Sequence, residues 1–216
     1  MSTVGEPLSE LSPTARLHVE KAVDSLLDEF GGRHSREEVE QIMDDSLRRT
    51  GCGAEVEDFV PALAHRFARE RLKALGRAEG PDNQLPDVLF IGRGDTGRGQ
   101  MAAALLTFRA EGRVVAHSAG SEVAADLDPA VVQVMDEIGV DLADAYAKPL
   151  ASEVIAAADL VVTMGRSVGA VEIPADKRRE DWRVGDPTGA PVDEVRRVRD
   201  DIDRRVQALL AELEGH

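Results

Sequence analysis

Val88-Leu89-Phe90-Ile91-Gly92-Arg93-Gly94-Asp95-Thr96-Gly97-Arg98-Gly99-Gln100-Met101 is the stretch on which the fold turns. Four large apolar residues in a row read as a strand buried on both faces; glycines at 92, 94, 97 and 99 interrupt it, and helical apolar spacing follows over 98–110. A strand, a glycine-rich turn and a helix open a parallel-sheet unit, and open parallel sheets bind ligands at such turns. The glycines let backbone N–H groups converge, the helix adds its positive N-terminus, and Arg98 brings a bidentate fork, so the turn suits phosphate or a similar oxyanion. Gly92, Arg93, Gly94, Asp95, Thr96, Gly97 and Arg98 are therefore the candidate anion-binding set, with a merely tight turn as the alternative.

Downstream, short apolar runs over 113–116 and 157–164 alternate with helical patterns over 128–138 and 192–213, which predicts an α/β domain with a parallel sheet covered on both faces. Upstream, the segment 79–86, Glu-Gly-Pro-Asp-Asn-Gln-Leu-Pro, reads as a linker. Before it, three apolar stripes of helical period predict an all-α three-helix bundle. The first runs from Leu17 to Phe30 and ends at Gly31-Gly32; the second starts at a capping box, Ser35 with Glu38; the third runs from Val56 to Leu75, with Pro61 in its first turns. The expected domains are 1–80 and 87–216.

Composition narrows the function. The 216 residues hold 26 Lys and Arg against 41 Asp and Glu, a formal charge of −15, which repels phosphate backbones and anionic lipid. Neither half is basic, since residues 1–80 carry 11 basic and 16 acidic side chains. The cluster Arg66, Arg69, Arg71, Lys73 and Arg77 reads as a solvated helix face. No apolar run approaches a membrane span and no signal segment is visible, so a cytoplasmic protein is expected, with neither a nucleic-acid polymer nor a membrane as partner. Cys52 is the only cysteine, and His18, His34, His65, His117 and His216 show no ligand spacing, so no disulfide, metal site or cofactor is implied.

The run VLFIGRGDTGRGQMAAALL resembles the phosphate loop of low-molecular-weight protein tyrosine phosphatases and the related thioredoxin- or mycothiol-linked arsenate reductases, whose pattern is Cys, five residues, Arg, then Ser or Thr. Later segments are similar in order: His117-Ser118-Ala119-Gly120-Ser121, Asp128-Pro129 through Asp141, Asp159 through Gly165, Asp181-Trp182 ahead of Asp186-Pro187, and Val195 through Ile202. The resemblance covers residues 87–216 and implies the four-stranded, flavodoxin-like fold of that family. An N-terminal helical extension similar to residues 10–78 also occurs in the arsenate reductase branch.

Departures from the family pattern decide the expected chemistry. Gly92 stands at the position of the nucleophilic cysteine, Gly99 at that of the hydroxyl residue after the loop arginine, and Arg166 and Ala170 at those of the two further redox cysteines. A covalent phosphatase needs a thiolate at the loop floor and arsenate reduction needs thiols to relay two electrons, so neither ordinary mechanism is expected. Gly97 and Arg98 keep the anion-binding part, and Asp186 resembles the general acid of the family's mobile loop, against the plain alternative of a turn-forming Asp-Pro. Asp95 stands where asparagine is usual and opposes a dianion; Arg93 either offsets that charge or faces solvent.

Three readings follow. In the first, the chain is a nucleophile-less homologue that binds an oxyanion, a phosphorylated small molecule or a protein partner. In the second, it hydrolyses a phosphorylated metabolite or nucleotide with Asp95 and Asp186 as catalytic carboxylates. In the third, it docks a protein or a second copy of itself through the N-terminal helices.

Overall fold

The computed structural model describes residues 12–50, 60–78, 85–122, 126–165 and 171–215, and the chain divides into two compact units, Met1–Pro81 and Asp82–His216. In the first unit, α1 (Pro13–Phe30), α2 (Arg36–Thr50) and α3 (Val60–Ala78) enclose one core. Val19, Val23 and Leu26 meet Val39, Met43 and Leu47 and, from the third helix, Ala64, Ala68 and Leu72. The capping box forms: the Ser35 hydroxyl accepts the Glu38 N–H at 3.2 Å, while Glu38 accepts the Ser35 N–H at 2.7 Å. Ser12 caps α1, ahead of a proline in the first turn. The basic stretch of α3 is only partly a solvated face. Arg69 forks onto Glu29, but Arg71 is buried at 7% exposure, lying 5.4 Å from the Phe67 ring centre and donating to the Ser46 hydroxyl.

The second unit carries β1 (Asp87–Gly92), α4 (Arg98–Ala110), β2 (Val115–Gly120), α5 (Pro129–Asp136), α6 (Ser152–Ala157), β3 (Leu160–Met164), β4 (Arg178–Trp182) and α7 (Val192–Glu214). All four strands are parallel, in the order β2-β1-β3-β4. In-register neighbours share a face, so Val88 and Phe90 line up with Leu160 and Val162 beneath α4, α5 and α7, whose Met101, Leu105, Val131, Val198, Ile202 and Val206 complete the core. Leu89 and Ile91 alternate to the other face, where α6 meets β1. The chain leaves β1 for β2 on one side and returns to β3 on the other, so the β1–α4 loop stands at the topological switch point.

Three elements differ from the expectation. The second strand covers Val115–Gly120 instead of 113–116, because Glu111 and Gly112 take left-handed φ values of 49° and 83° and the chain turns before it pairs with Asp87. The run over 157–164 divides, its start ending the short α6 and only Leu160–Met164 entering the sheet. The fourth strand is Arg-Arg-Glu-Asp-Trp, an edge strand with mostly exposed charged side chains that carry no apolar alternation. Among the described residues no helix is long and apolar enough to cross a membrane.

Candidate functional site

The site starts where fully buried β1 ends at Gly92 and α4 begins at Arg98. Flanking segments take up the carbonyls of the intervening loop. Gly92 O accepts from Ser121 N at 3.1 Å, Arg93 O from Glu122 N at 2.7 Å, Thr96 O from Asp128 N at 3.1 Å and Gly97 O from Met101 N at 2.9 Å. Among the described residues, by contrast, the backbone N–H groups of Arg93, Gly94, Thr96, Gly97 and Arg98 make no hydrogen bond. A loop with its carbonyls spent and its N–H groups unspent, leading into a helix N-terminus, presents several donors to one concavity. All seven candidate residues, Gly92 through Arg98, line one cleft of about 370 Å³, together with Gly99, Glu122, Asp186, Pro187 and Thr188.

Arg98 is fixed within this cleft. Its side chain is 11% exposed, and its guanidinium donates to Val184 O at 3.2 Å and to Asp186 Oδ2 at 3.4 Å. The group lies against Gly165, whose φ is +88°; a Cβ there would stand 2.5 Å from Arg98 Nη1. Only glycine meets both demands, the backbone turn and the close approach. Asp186 also accepts from Thr188 N at 3.2 Å and Thr188 Oγ1 at 2.8 Å, an Asx-turn after the Asp-Pro step. Partial burial pushes its carboxyl pKa up, but the two Thr188 bonds and the Arg98 charge outweigh this, and the net value lies below that of an ordinary aspartate. Asp186 is therefore ionised near neutral pH. At the rim, Arg93 faces solvent and pairs with exposed Glu122 at 2.9 Å.

Asp95 requires a correction. Expected as a reacting carboxylate, it is 2% exposed, and its Oδ2 accepts from Gln100 Nε2 at 2.8 Å, Ser118 Oγ at 3.2 Å and Lys148 N at 3.0 Å. Its φ is +55°, in the left-handed region that Asn and Asp tolerate best among non-glycine residues. The carboxylate is thus turned into the fold, where it ties the loop to β2 and to the segment before α6, and it is not placed to attack or to protonate a ligand beside Asp186. The nucleophile position, Gly92, is open: a Cβ built there meets nothing closer than Asp95 N at 4.0 Å. Cys52, Arg166 and Ala170 lie outside the described residues.

Several contributors to the site had not been assigned a role from sequence. Thr188 was legible as the third residue of Asp-Pro-Thr, a standard Asx-turn pattern. Gly165 ends an apolar strand, which signals a turn but not an arginine packed against it. Glu122 reaches the cleft, and Val184 O reaches Arg98, through tertiary contacts with no local signature.

Comparison with known proteins places the chain in a family. Residues 87–216 match the low molecular weight phosphotyrosine protein phosphatase family, and residues 19–76 match the protein-tyrosine-phosphatase-like N-terminal domain. The chain belongs to the low-molecular-weight phosphatase family, with the N-terminal helical domain that accompanies some of its members. It is similar to the thioredoxin-dependent arsenate reductase of Corynebacterium glutamicum, at 33% identity and a TM-score of 0.81 over 91% of this chain and 96% of that one. An arsenate reductase of Bacillus cereus is 31% identical over 122 residues, which span 56% of this chain and 90% of that protein. An arsenate reductase solved in a phosphate-binding state is 25% identical, with a TM-score of 0.54 over 60% of this chain and 99% of that one.

Proposed function

We propose that the Gly92–Arg98 loop binds an oxyanion or the phosphoryl group of a small phosphorylated ligand, and that it does so without cysteine chemistry. The observation that carries this reading is the loop's hydrogen-bond state: four carbonyls satisfied by neighbours, five N–H groups unspent, and a largely buried guanidinium, 11% exposed, held at the same cleft. The similarity to an arsenate reductase in a phosphate-binding state supports the same ligand class. Gly92 supplies no nucleophile, so bond cleavage by the family's thiolate route lacks its starting group at the loop position where the family carries cysteine. The carboxylate-hydrolase reading loses its pair because Asp95 faces the interior.

The test is thermal unfolding of wild type and Arg98→Ala with sulfate, phosphate, arsenate, nucleoside monophosphates and sugar phosphates. A ligand present at about 100 times its Kd adds roughly 2.7 kcal/mol to the stability of the state that binds it. The expected outcome is a shift for wild type that is lost in Arg98→Ala. No shift for any anion, or a turnover that depends on Arg98, overturns the proposal.

A further inference from the structure

Asp128 caps α5, and a cap uses one side-chain oxygen: Oδ1 accepts from Ala130 N at 2.9 Å. The second oxygen is spent elsewhere, with Oδ2 accepting from Gly189 N at 3.2 Å across 61 residues of sequence. The backbone N–H of the same residue donates to Thr96 O in the anion loop at 3.1 Å. One residue thus joins the anion loop, the start of α5 and the 186–189 loop that carries Asp186. Packing brings the same three pieces together, because a Cβ on Gly97 would stand 3.0 Å from Pro187 Cγ and 3.7 Å from Val131 Cγ2, so the 186–189 loop closes on the anion loop at a point where any Cβ would press on Pro187. Gly189 itself turns with φ +65°, which presents its N–H at the end of the Asp186–Thr188 turn.

We propose that Asp128 is a positioning residue that clasps the 186–189 loop onto the anion loop, so that Asp186, Pro187 and Thr188 stand as a fixed wall of the cleft. The proposal rests on the reading of Gly92–Arg98 as an oxyanion site. It goes beyond that reading by assigning the wall's position to a carboxylate that does not line the cleft. A plain capping role needs only one acceptor, and Asn and Ser supply it as well as Asp does. The second acceptor is what the clasp adds, and neither Asn nor Ser keeps it once its one oxygen is committed to the cap.

The experiment uses the full chain as wild type, Asp128→Asn, Asp128→Ser and Arg98→Ala. Amide hydrogen exchange is measured at Gly189, the Asp186 carboxyl is titrated by NMR, and sulfate is titrated as the anion probe. In Asp128→Asn and Asp128→Ser the unfolding midpoint is expected to fall by no more than one lost hydrogen bond accounts for, while Gly189 exchanges about tenfold faster, as expected for one lost hydrogen bond to a charged acceptor. The Asp186 titration is expected to move toward an ordinary aspartate, and sulfate to bind at least about threefold more weakly. Arg98→Ala is expected to lose sulfate while keeping Gly189 protected. Unchanged Gly189 exchange in both variants overturns the clasp; faster exchange with an unmoved Asp186 titration and sulfate affinity overturns its positioning role. If wild type binds no sulfate, the oxyanion reading falls, and exchange together with the Asp186 titration still decides the clasp.

Discussion

Replacing Gly165 by alanine places a methyl carbon 2.5 Å from Arg98 Nη1, 3.0 Å from Cζ and 3.1 Å from Nη2, all well inside contact distance. Two costs follow, and they separate. Holding a non-glycine residue at φ +88° costs about 1–2 kcal/mol whatever its neighbours are. Displacing the guanidinium breaks its bonds to Val184 O and Asp186, at about 0.5–1.5 kcal/mol each, so the total is about 2–5 kcal/mol. In an Arg98→Ala background the second cost has already been incurred, and Gly165→Ala should then cost only the backbone part. Chemical denaturation of the four proteins in this cycle reads the difference directly. A coupling of about 1–3 kcal/mol is expected. If Gly165→Ala costs the same with and without Arg98, the steric fixing of the guanidinium is refuted. The same variant should lose the sulfate response, because Arg98 no longer reaches the cleft.

Asp95→Ala strands three donors and puts alanine at a left-handed φ, so it should destabilise by about 2–4 kcal/mol, whereas Asp95→Asn keeps an acceptor and tolerates the backbone, leaving unfolding within about 1 kcal/mol of wild type. In a Cys52→Ser background, Gly92→Cys fits the open floor of the loop; its thiol, surrounded by unspent N–H groups beside Arg98, should be alkylated by iodoacetamide at pH 7 faster than an ordinary cysteine, and an ordinary rate argues against the anion nest. The lowered pKa of Asp186 means that its contribution to stability is fully present above the ordinary value of 3.8 and is lost as pH falls through the still lower folded value. Asp186→Asn should therefore lower stability near neutral pH, where that contribution is fully present, and flatten the acid limb of the profile below about pH 4. Ser35→Ala should cost about 1 kcal/mol, measured by denaturant unfolding, through loss of the cap on α2.

What the sequence made legible was local. The apolar run of β1, the glycine spacing after it and the helix from Arg98 to Ala110 are each written within a few residues, as is the Ser35–Glu38 capping box, and the structure places them accordingly. The fourth strand was not legible, because an edge strand in water needs no apolar alternation and Arg178-Arg179-Glu180-Asp181 shows none. The short α6 was hidden because its end continues without a break into the apolar residues of β3. Arg71 reads as solvated from its charged neighbours, yet an acceptor 25 residues away and the Phe67 ring make its burial tolerable. Asp95 shows the limit most clearly: whether a loop carboxylate faces ligand or interior is decided by Gln100, Ser118 and Lys148, the last 53 residues away, and its residue type alone is compatible with both.

The span of the site's internal bonds sets the order in which it is assembled. Arg98 meets Val184 and Asp186 across 86 and 88 residues, while the strand, loop and helix that display Arg98 are contiguous. Contacts of such separation come after local ones, since the chain between them must be ordered before they repay the entropy of closure. The glycine loop thus belongs to the early-forming part of the domain, and the wall that fixes its arginine to the late-forming part. A chain emerging from synthesis carries the loop long before it carries the residues that hold Arg98 in place, so the fixed position of Arg98 depends on completion of the whole domain and not on its first unit alone.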